Sequence, residues 1–335
     1  MKLNIYESSG YLNIPGILSL GQPFVVVVGG RAVGKTYGAL KYAITSGRKF
    51  MLMRRTQSQT DLINKPEFSP FKPICTDLGI DIETQNLSKY NSMFIKDERI
   101  LGYTCALSTI SNMRGFDASD IDLLIYDEFI PERHERIMKG EGGAFLNAYE
   151  TMNRNRELQG KKPLQALLLA NAFDIANPIF LELGLIGIAE KMKQKHQELY
   201  VNPDKGLCIV MPQNSRISDR KANTALYRLA GDTFSSMALS NDFVYNPTDN
   251  IKSQPIKEYA PLVGIGDICI YRHKNNSRYY VSEHTTGNPE HFDTDEVNIK
   301  RFLKKYGIRL YKMHMKGKII FEDMTCKAIF EDIIM

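Results

Sequence analysis

The sequence predicts an α/β protein: a domain with a largely parallel sheet built around a phosphate-binding loop, then a smaller C-terminal domain containing β structure. Three observations carry this expectation. From about residue 23 to 200, apolar runs alternate with helix-like stretches, the pattern of strand–helix–strand units. "VVVVGGRAVGKTYGALKYAI", residues 25–44, sets a four-valine run against a glycine-bracketed lysine. Further on, "DICIYRHKNNSRYYVSEH" alternates apolar and polar residues on both sides of "KNNS", a hairpin signature.

The candidate strands of the first domain are Phe24–Val28, Lys49–Met53, Ile121–Tyr126 and Ala166–Ala170. Each is short, apolar and bounded by a turn or charge signal, as expected of strands buried on both faces. "SMFIKDERILGYTCALS" reads as a hairpin or extra sheet edge turning at Asp97-Glu98. From Asn202 to about Pro255 the composition becomes polar, loosest at "PQNSRISDRKANT" and "SNDFVYNPTDN", with "ANTALYRLA" as a short helix. The expected division is therefore residues 1–200 for the α/β domain, 201–255 for a linker with some helix, and 256–335 for the C-terminal domain.

The 335 residues are 43% hydrophobic and 24% charged, ordinary for a globular chain. A net charge of +5 is only mildly basic, so any polyanion must be met by local patches. Five scattered cysteines, none in a CxxC pair, give neither a zinc signature nor a disulfide framework and fit a reducing compartment. The N-terminus lacks the apolar core of a signal peptide. No run approaches the roughly 20 apolar residues of a membrane span; "IFLELGLIGIA" is short and carries Glu182. A cytoplasmic protein without a membrane partner is expected.

"GGRAVGKT" fits G-x-x-x-x-G-K-[ST] in full. Gly29, Gly30, Arg31, Ala32, Val33 and Gly34 would wrap their backbone amides around phosphate oxygens. Lys35 would reach the β- and γ-phosphates and Thr36 would ligate Mg2+, while the following helix adds its N-terminal dipole. Arg31 places a second cation in the cradle, for the γ-phosphate, for a neighbouring carboxylate, or simply for solvent.

Nucleotide hydrolysis needs a strand-end Asp for the metal shell and a Glu to activate water. "IDLLIYDEF" supplies both, Asp127 for the metal and Glu128 as general base. The only string near the guanine-reading NKxD, "NKPE", ends in Glu and follows no strand. GTP is therefore disfavoured, and an ATPase that converts hydrolysis into motion is favoured over a small-metabolite kinase. "LLLANAF" ends a strand with Asn171, either a γ-phosphate sensor or a buried amide. "AFLNAYETMNRNREL" reads as a helix with an apolar face of Phe145, Tyr149 and Met152 and with Arg154 and Arg156 at its end. These arginines are either dipole partners or, in a ring, fingers entering a neighbour's site.

The joint order of "VGGRAVGKTYG", "FMLMRR", "IYDEF", "NRNRE" and "NAFDIANPIF", with a weaker echo in "SDRKANTALYRLAGDTFSSMALSNDF", resembles the DNA-packaging ATPases of small tailed phages with protein-primed linear genomes, relatives of the terminase large subunit. The match spans most of residues 24–243. It implies a RecA-like ATPase domain of the additional-strand, catalytic-Glu type that uses ATP and Mg2+. It further implies a homomeric ring, usually a homopentamer, docked on the portal of the procapsid in the host cytoplasm, with double-stranded DNA in its channel. Whether protein or a structural RNA joins ring to portal stays open. By the same resemblance Arg154 is the trans finger, and the C-terminal domain is a vestigial RNase H-like nuclease. The candidate hairpin bears no carboxylate at its strand centre; Asp267 only starts it, and Glu283, Asp293 and Asp295 are the remaining acids. Two-metal cleavage needs a convergent acidic cluster, so nuclease activity is not expected. The family keeps a basic residue just past the "RR" pair in a loop facing DNA. This chain reads "RRTQSQT", leaving Arg55, or Thr56, Gln57 and Ser58, to make that contact.

Residues 300–318, "KRFLKKYGIRLYKMHMKGK", hold eight Lys or Arg and no acid, with Phe302, Tyr306 and Tyr311 interleaved. Lys304, Lys305, Arg309 and Lys312 are the candidate contacts to DNA, to a structural RNA or to an acidic portal surface, with aromatics that stack on bases; the alternative is a solvated face whose aromatics pack inward. The reading that joins these features is an ATP-driven duplex translocase that packages a genome. Its rivals are another ring ATPase, such as a helicase or conjugative pump, and a non-motor nucleotide switch.

Overall fold

Val25 to Val28 are wholly buried in the computed structural model, which describes residues 3–113, 115–132, 135, 137–172, 174–213, 215–229 and 250–335. They belong to β1 (Phe24–Val28) of a nine-stranded sheet. The others are β2 (Phe50–Arg54), β3 (Glu83–Asn86), β4 (Ser92–Lys96), β5 (Arg99–Ala106), β6 (Leu123–Asp127), β7 (Gln165–Ala170), β8 (Leu199–Asn202) and β9 (Leu207–Val210). The order is β3-β4-β5-β2-β6-β7-β1-β9-β8. The six strands from β5 to β9 run parallel, and antiparallel pairs finish both edges. All four candidate strands are present, the first with the expected bounds and the other three with ends shifted by a residue or two.

β7 separates β1 from β6. This inserted strand is what makes the domain RecA-like of the additional-strand type, as expected. It fixes the distance between the loop that follows β1 and the acids that end β6, because hydrogen-bonded strands lie about 4.8 Å apart. One face of the sheet buries Val25, Val27, Leu52, Ile125 and Leu167 with apolar residues of α1 (Ile14–Leu18), α2 (Lys35–Ser46) and α4 (Lys72–Leu78). On other strand positions the rings of α5 (Glu141–Asn153) pack: Phe145 stacks on Tyr126 at 5.6 Å, and Tyr149 lies 4.6 Å from Phe24. The Asp97-Glu98 turn between β4 and β5 has both residues in left-handed backbone, φ 47° and 64°, the conformation of a tight primed hairpin turn.

The chain divides into two compact units, residues 1–173 with 192–244, and residues 174–191 with 245–335. Two boundaries differ from expectation. Residues 174–191 cluster with the C-terminal unit, because the helix Pro178–Glu182 packs on the helix Met324–Ile334. The expected linker also begins inside the large sheet: β9 is the four-residue apolar run "LCIV", hidden from composition by the polar "NPDK" turn before it, and it pairs with β1. The expected short helix is present at Ala225–Leu229. "SNDFVYNPTDN" lies, except for Asn250, outside the described residues.

The second unit holds a five-stranded sheet, β10 (Tyr259–Ile265), β11 (Ile268–His273), β12 (Tyr279–Ser282), β13 (Glu290–Phe292) and β14 (Ile319–Phe321), in the order β13-β10-β11-β12-β14. β10 to β12 form an antiparallel meander containing the expected hairpin, while β13 and β14 add in parallel to its two sides. The core is Val263, Ile270, Val281, Phe302, Phe321 and Phe330 with their neighbours.

Candidate active site

The turn after β1 leads into α2 through Gly34, whose φ of 89° is left-handed backbone that glycine adopts without penalty. A Cβ there would also come within 3.1 Å of the Tyr11 ring. Lys35 opens α2 and is buried, donating from Nζ to the carbonyls of Gly29 (2.9 Å) and Gly30 (2.7 Å) and to Oδ1 of Asn171 (3.0 Å). Burial pushes its pKa down to about 8; Asp127 and Glu128 oppose this and Arg31 adds to it. Thr36 donates its hydroxyl to Asp127, 3.0 Å from each carboxylate oxygen. Hydroxyl and carboxylate are hard oxygen donors suited to Mg2+, so this pair fits the metal that the loop pattern implies.

Asp127 ends β6 and is 2% exposed, whereas Glu128 turns outward with φ 59°. Ala32 in the loop shares this left-handed conformation, φ 65°. Non-glycine residues held this way cost on the order of 1 kcal/mol and concentrate at functional sites. The Glu128 side chain keeps 55% of its surface in solvent, yet partial withdrawal from water at the cavity wall raises its pKa, opposed by Arg54 and helped by Asp127.

Arg54 is the residue that sequence reasoning left without a role. The parallel register aligns Met53 with Tyr126, so Arg54 falls beside the acid pair. Its guanidinium is 2.9 Å from Asp127 and is hydrogen-bonded to Glu128. The signal was present in an arginine ending the strand next to the one that carries Asp-Glu. Arg31, left between phosphate, carboxylate and solvent, pairs with Glu132 at 2.6 Å; Glu132 was likewise not foreseen.

The structure thus gathers Lys35, Thr36, Asp127, Glu128, Asn171 and Arg31 around one cavity of about 820 Å³, within the usual range for ligand pockets. Arg154 is elsewhere. It caps the C-terminus of α5 with φ 49°, is half exposed, and donates to the carbonyl of Phe116 at 2.7 Å. Arg156 is bonded to the carbonyls of Ser119 and Ile121.

Arg55 corrects an expectation. It is 1% exposed, not a surface contact for DNA, with Nε and Nη2 bonded to Glu141 at 2.7 and 2.9 Å and Tyr126 donating to the same carboxylate. Strand alternation sends Arg54 toward the acids and Arg55 under α5. Thr56 is likewise occupied, as the N-cap of α3 (Gln57–Ile63) in a capping box with Gln59.

In the second unit Lys304, Lys305, Arg309 and Lys312 are exposed on the helical run 296–315. Lys305 is paired with Glu290 at 2.5 Å, and Arg309 lies over the Tyr279 ring at 5.6 Å. Phe302 is fully buried and Tyr306 packs on it, so these two aromatics anchor the element; Tyr311 is 43% exposed. Among the acids, Asp295 serves as the N-cap of the helix Glu296–Phe302. Glu283 instead lies with Asp323 and Cys326, their donor atoms within 4.8 Å of one another.

The inserted strand, the wrapped loop and the Thr36–Asp127–Glu128 arrangement define a P-loop ATPase of the additional-strand class. The family model described as podovirus DNA encapsidation protein (Gp16) matches residues 6–334, and the chain belongs to that family. The DNA packaging protein of Bacillus phage PZA is 24% identical over 341 residues, 96% of each chain. Among solved structures, the Phi-28 gp11 DNA packaging motor superposes with a TM-score of 0.69 at 19% identity, covering 97% of each chain. The bacteriophage Phi-29 viral genome packaging motor assembly gives 0.64 at 17% identity, covering 97% of this chain and 100% of that one. Among the described residues no helix is long and apolar enough to cross a membrane.

Proposed function

We propose that this chain is an ATP-driven translocase of double-stranded DNA that works as a homomeric ring, a homopentamer, at the portal of a phage procapsid in the host cytoplasm. The observation that carries this reading is the joining of Thr36 to Asp127 with Glu128 beside them, at the mouth of the phosphate loop. Family membership supplies the packaging role, and the motor assemblies of similar fold support the ring.

The roles follow from position. Backbone amides of residues 29–36 and the Lys35 ammonium hold the phosphates, with Lys35 exchanging loop carbonyls for phosphate oxygens. Thr36 and Asp127 would hold Mg2+, which would supply charge neutralisation to the phosphates. Glu128 accepts the proton of the attacking water, its pKa already raised towards that task. Asn171, bonded to Lys35 at the end of β7, registers the γ-phosphate. Arg154 stands outside its own chain's cradle and acts on a neighbour's. Duplex phosphates meet Lys304, Lys305, Arg309 and Lys312 without sequence readout. In this reading DNA is moved rather than cut; the acids of the second unit that face one another are Glu283 and Asp323, with the Cys326 thiol beside them and Glu322 and Asp267 as further charged neighbours of Glu283.

Steady-state ATP hydrolysis with and without blunt duplex DNA tests the reading. Stimulation by duplex is expected, together with loss of turnover by roughly 100-fold or more in Glu128→Gln. Hydrolysis indifferent to DNA would point to a nucleotide switch instead.

A further inference from the structure

The cavity does not end at the phosphates. Beyond Thr36 it continues between the N-terminal segment, at Glu7, Tyr11 and Pro15, and the outer side of α2, at Tyr37, Tyr42 and Thr45. A nucleotide whose phosphates lie on residues 29–36, with its γ-end towards Asp127 and Glu128, has room for its ribose and base in this extension.

We propose that Tyr11 is the platform on which the nucleobase stacks, and that residues 6–12 form a backbone-braced loop holding it there. The proposal rests on residues 29–36 being the phosphate site and adds the part of the nucleotide that this reading left unassigned.

The bracing is explicit. Tyr6 and Leu12 form an antiparallel bridge. The Glu7 amide donates to the Tyr11 carbonyl at 2.8 Å and the Gly10 amide to the Glu7 carbonyl at 3.0 Å. Gly10 makes the turn with φ 91°, and its carbonyl accepts from the Ser215 hydroxyl at 3.0 Å. The Leu12 amide donates to the carbonyl of Val33, inside the phosphate loop, at 3.0 Å. Tyr11 is therefore fixed by its neighbours' backbone to the loop itself, with its ring against Gly34.

Its ring is also the available one. Tyr11 is 44% exposed, and its side chain has no hydrogen-bond partner among the described residues. Tyr37 is tied to Asp77 through its hydroxyl and carries the Lys41 ammonium 5.3 Å from its ring centre. Tyr42 is half buried against the core. An aromatic face with one side supported and the other open to a cavity is the geometry that base stacking uses, and every base offers a π-face to it.

Titration calorimetry on the full chain with ATP, CTP and inorganic tripolyphosphate tests this. In the wild type ATP should bind more tightly than CTP, and both more tightly than tripolyphosphate. Tyr11→Ala should weaken ATP binding about tenfold, narrow the gap between ATP and CTP, and leave tripolyphosphate unchanged, while Tyr11→Phe behaves as wild type. Unaltered ATP affinity in Tyr11→Ala overturns the proposal, as does an equal loss for tripolyphosphate, which would mark a collapse of the loop. Wild-type protein that binds neither ATP nor tripolyphosphate would instead overturn the phosphate-site reading beneath it.

Discussion

Lys35 donates from Nζ to Oδ1 of Asn171 across 3.0 Å, tying the phosphate loop to the end of the strand inserted beside it. Burial lowers the pKa of this lysine to about 8. In the free chain the unfolded state binds the proton more tightly, so this group's contribution to stability rises as pH climbs from about 8 towards the ordinary lysine value. A phosphate against the ammonium acts in the opposite sense and raises the pKa. Nucleotide affinity should then be flat below pH 8 and fall above it, by roughly tenfold between pH 7 and 9. Calorimetry at the two pH values, in buffers of differing ionisation enthalpy, reads both the loss and the proton uptake.

Arg54 lowers the pKa of Glu128 against the effect of burial. Its replacement by alanine should move the acid limb of the pH–kcat profile to higher pH, since Glu128 must be ionised to act as base. Arg54→Lys, which keeps the charge, should restore much of the shift. An unmoved limb would mean that Arg54 does not act through Glu128.

Arg55 and Glu141 are each 1% exposed and paired with each other. Removing one partner of such a buried pair leaves an uncompensated charge and costs about 3–5 kcal/mol. Arg55→Ala should lower the denaturation midpoint accordingly. Whatever protein remains folded should show the wild-type salt dependence of duplex binding, because this side chain does not reach the surface.

Exposed cations behave differently. Each phosphate contact contributes about 0.9 to the slope of log affinity against log salt. Lys304→Gln with Lys312→Gln should reduce that slope by nearly two while leaving the melting temperature within about a degree, given that surface changes are usually within about 0.5 kcal/mol. An unchanged slope would move the duplex to another face.

Arg154 makes its contacts at the far end of α5 from Glu141, with Phe116 and Asp117. If it serves a neighbour, Arg154→Ala subunits mixed with wild type should depress hydrolysis more steeply than their fraction. Strict proportionality would return this arginine to a capping role.

The phosphate loop and acid pair were legible because each depends on a few residues of fixed type next to a buried strand. β1 and β6 could be found from their apolar runs alone, and Asp127 and Glu128 followed. Arg54 was not, because its role depends on which strand lies beside β6, a matter of register that no local pattern reveals. Arg55 misled for the same reason: adjacent arginines at a strand end point to opposite faces, and only the packing of α5 decides which is buried. β9 was hidden by its length, four apolar residues within polar neighbours, and becomes a strand only because β1 offers it an edge. Segment 174–191 looked continuous with the first domain, yet the helix that it carries finds its apolar partner at residues 324–334.

The position of β1 sets when the site can exist. Its two neighbours in the sheet come much later in the chain, Phe24 being aligned with Ala166 on one side and Leu207 on the other. Contacts so distant in sequence form slowly and only after the intervening chain is present. During synthesis the phosphate loop therefore emerges early, gains β7 on one side much later, and is flanked on both sides only once β9 has left the ribosome. A nascent chain stopped before β7 exposes a four-valine strand with neither neighbour in place, so the setting of the loop depends on strands made long after its own residues.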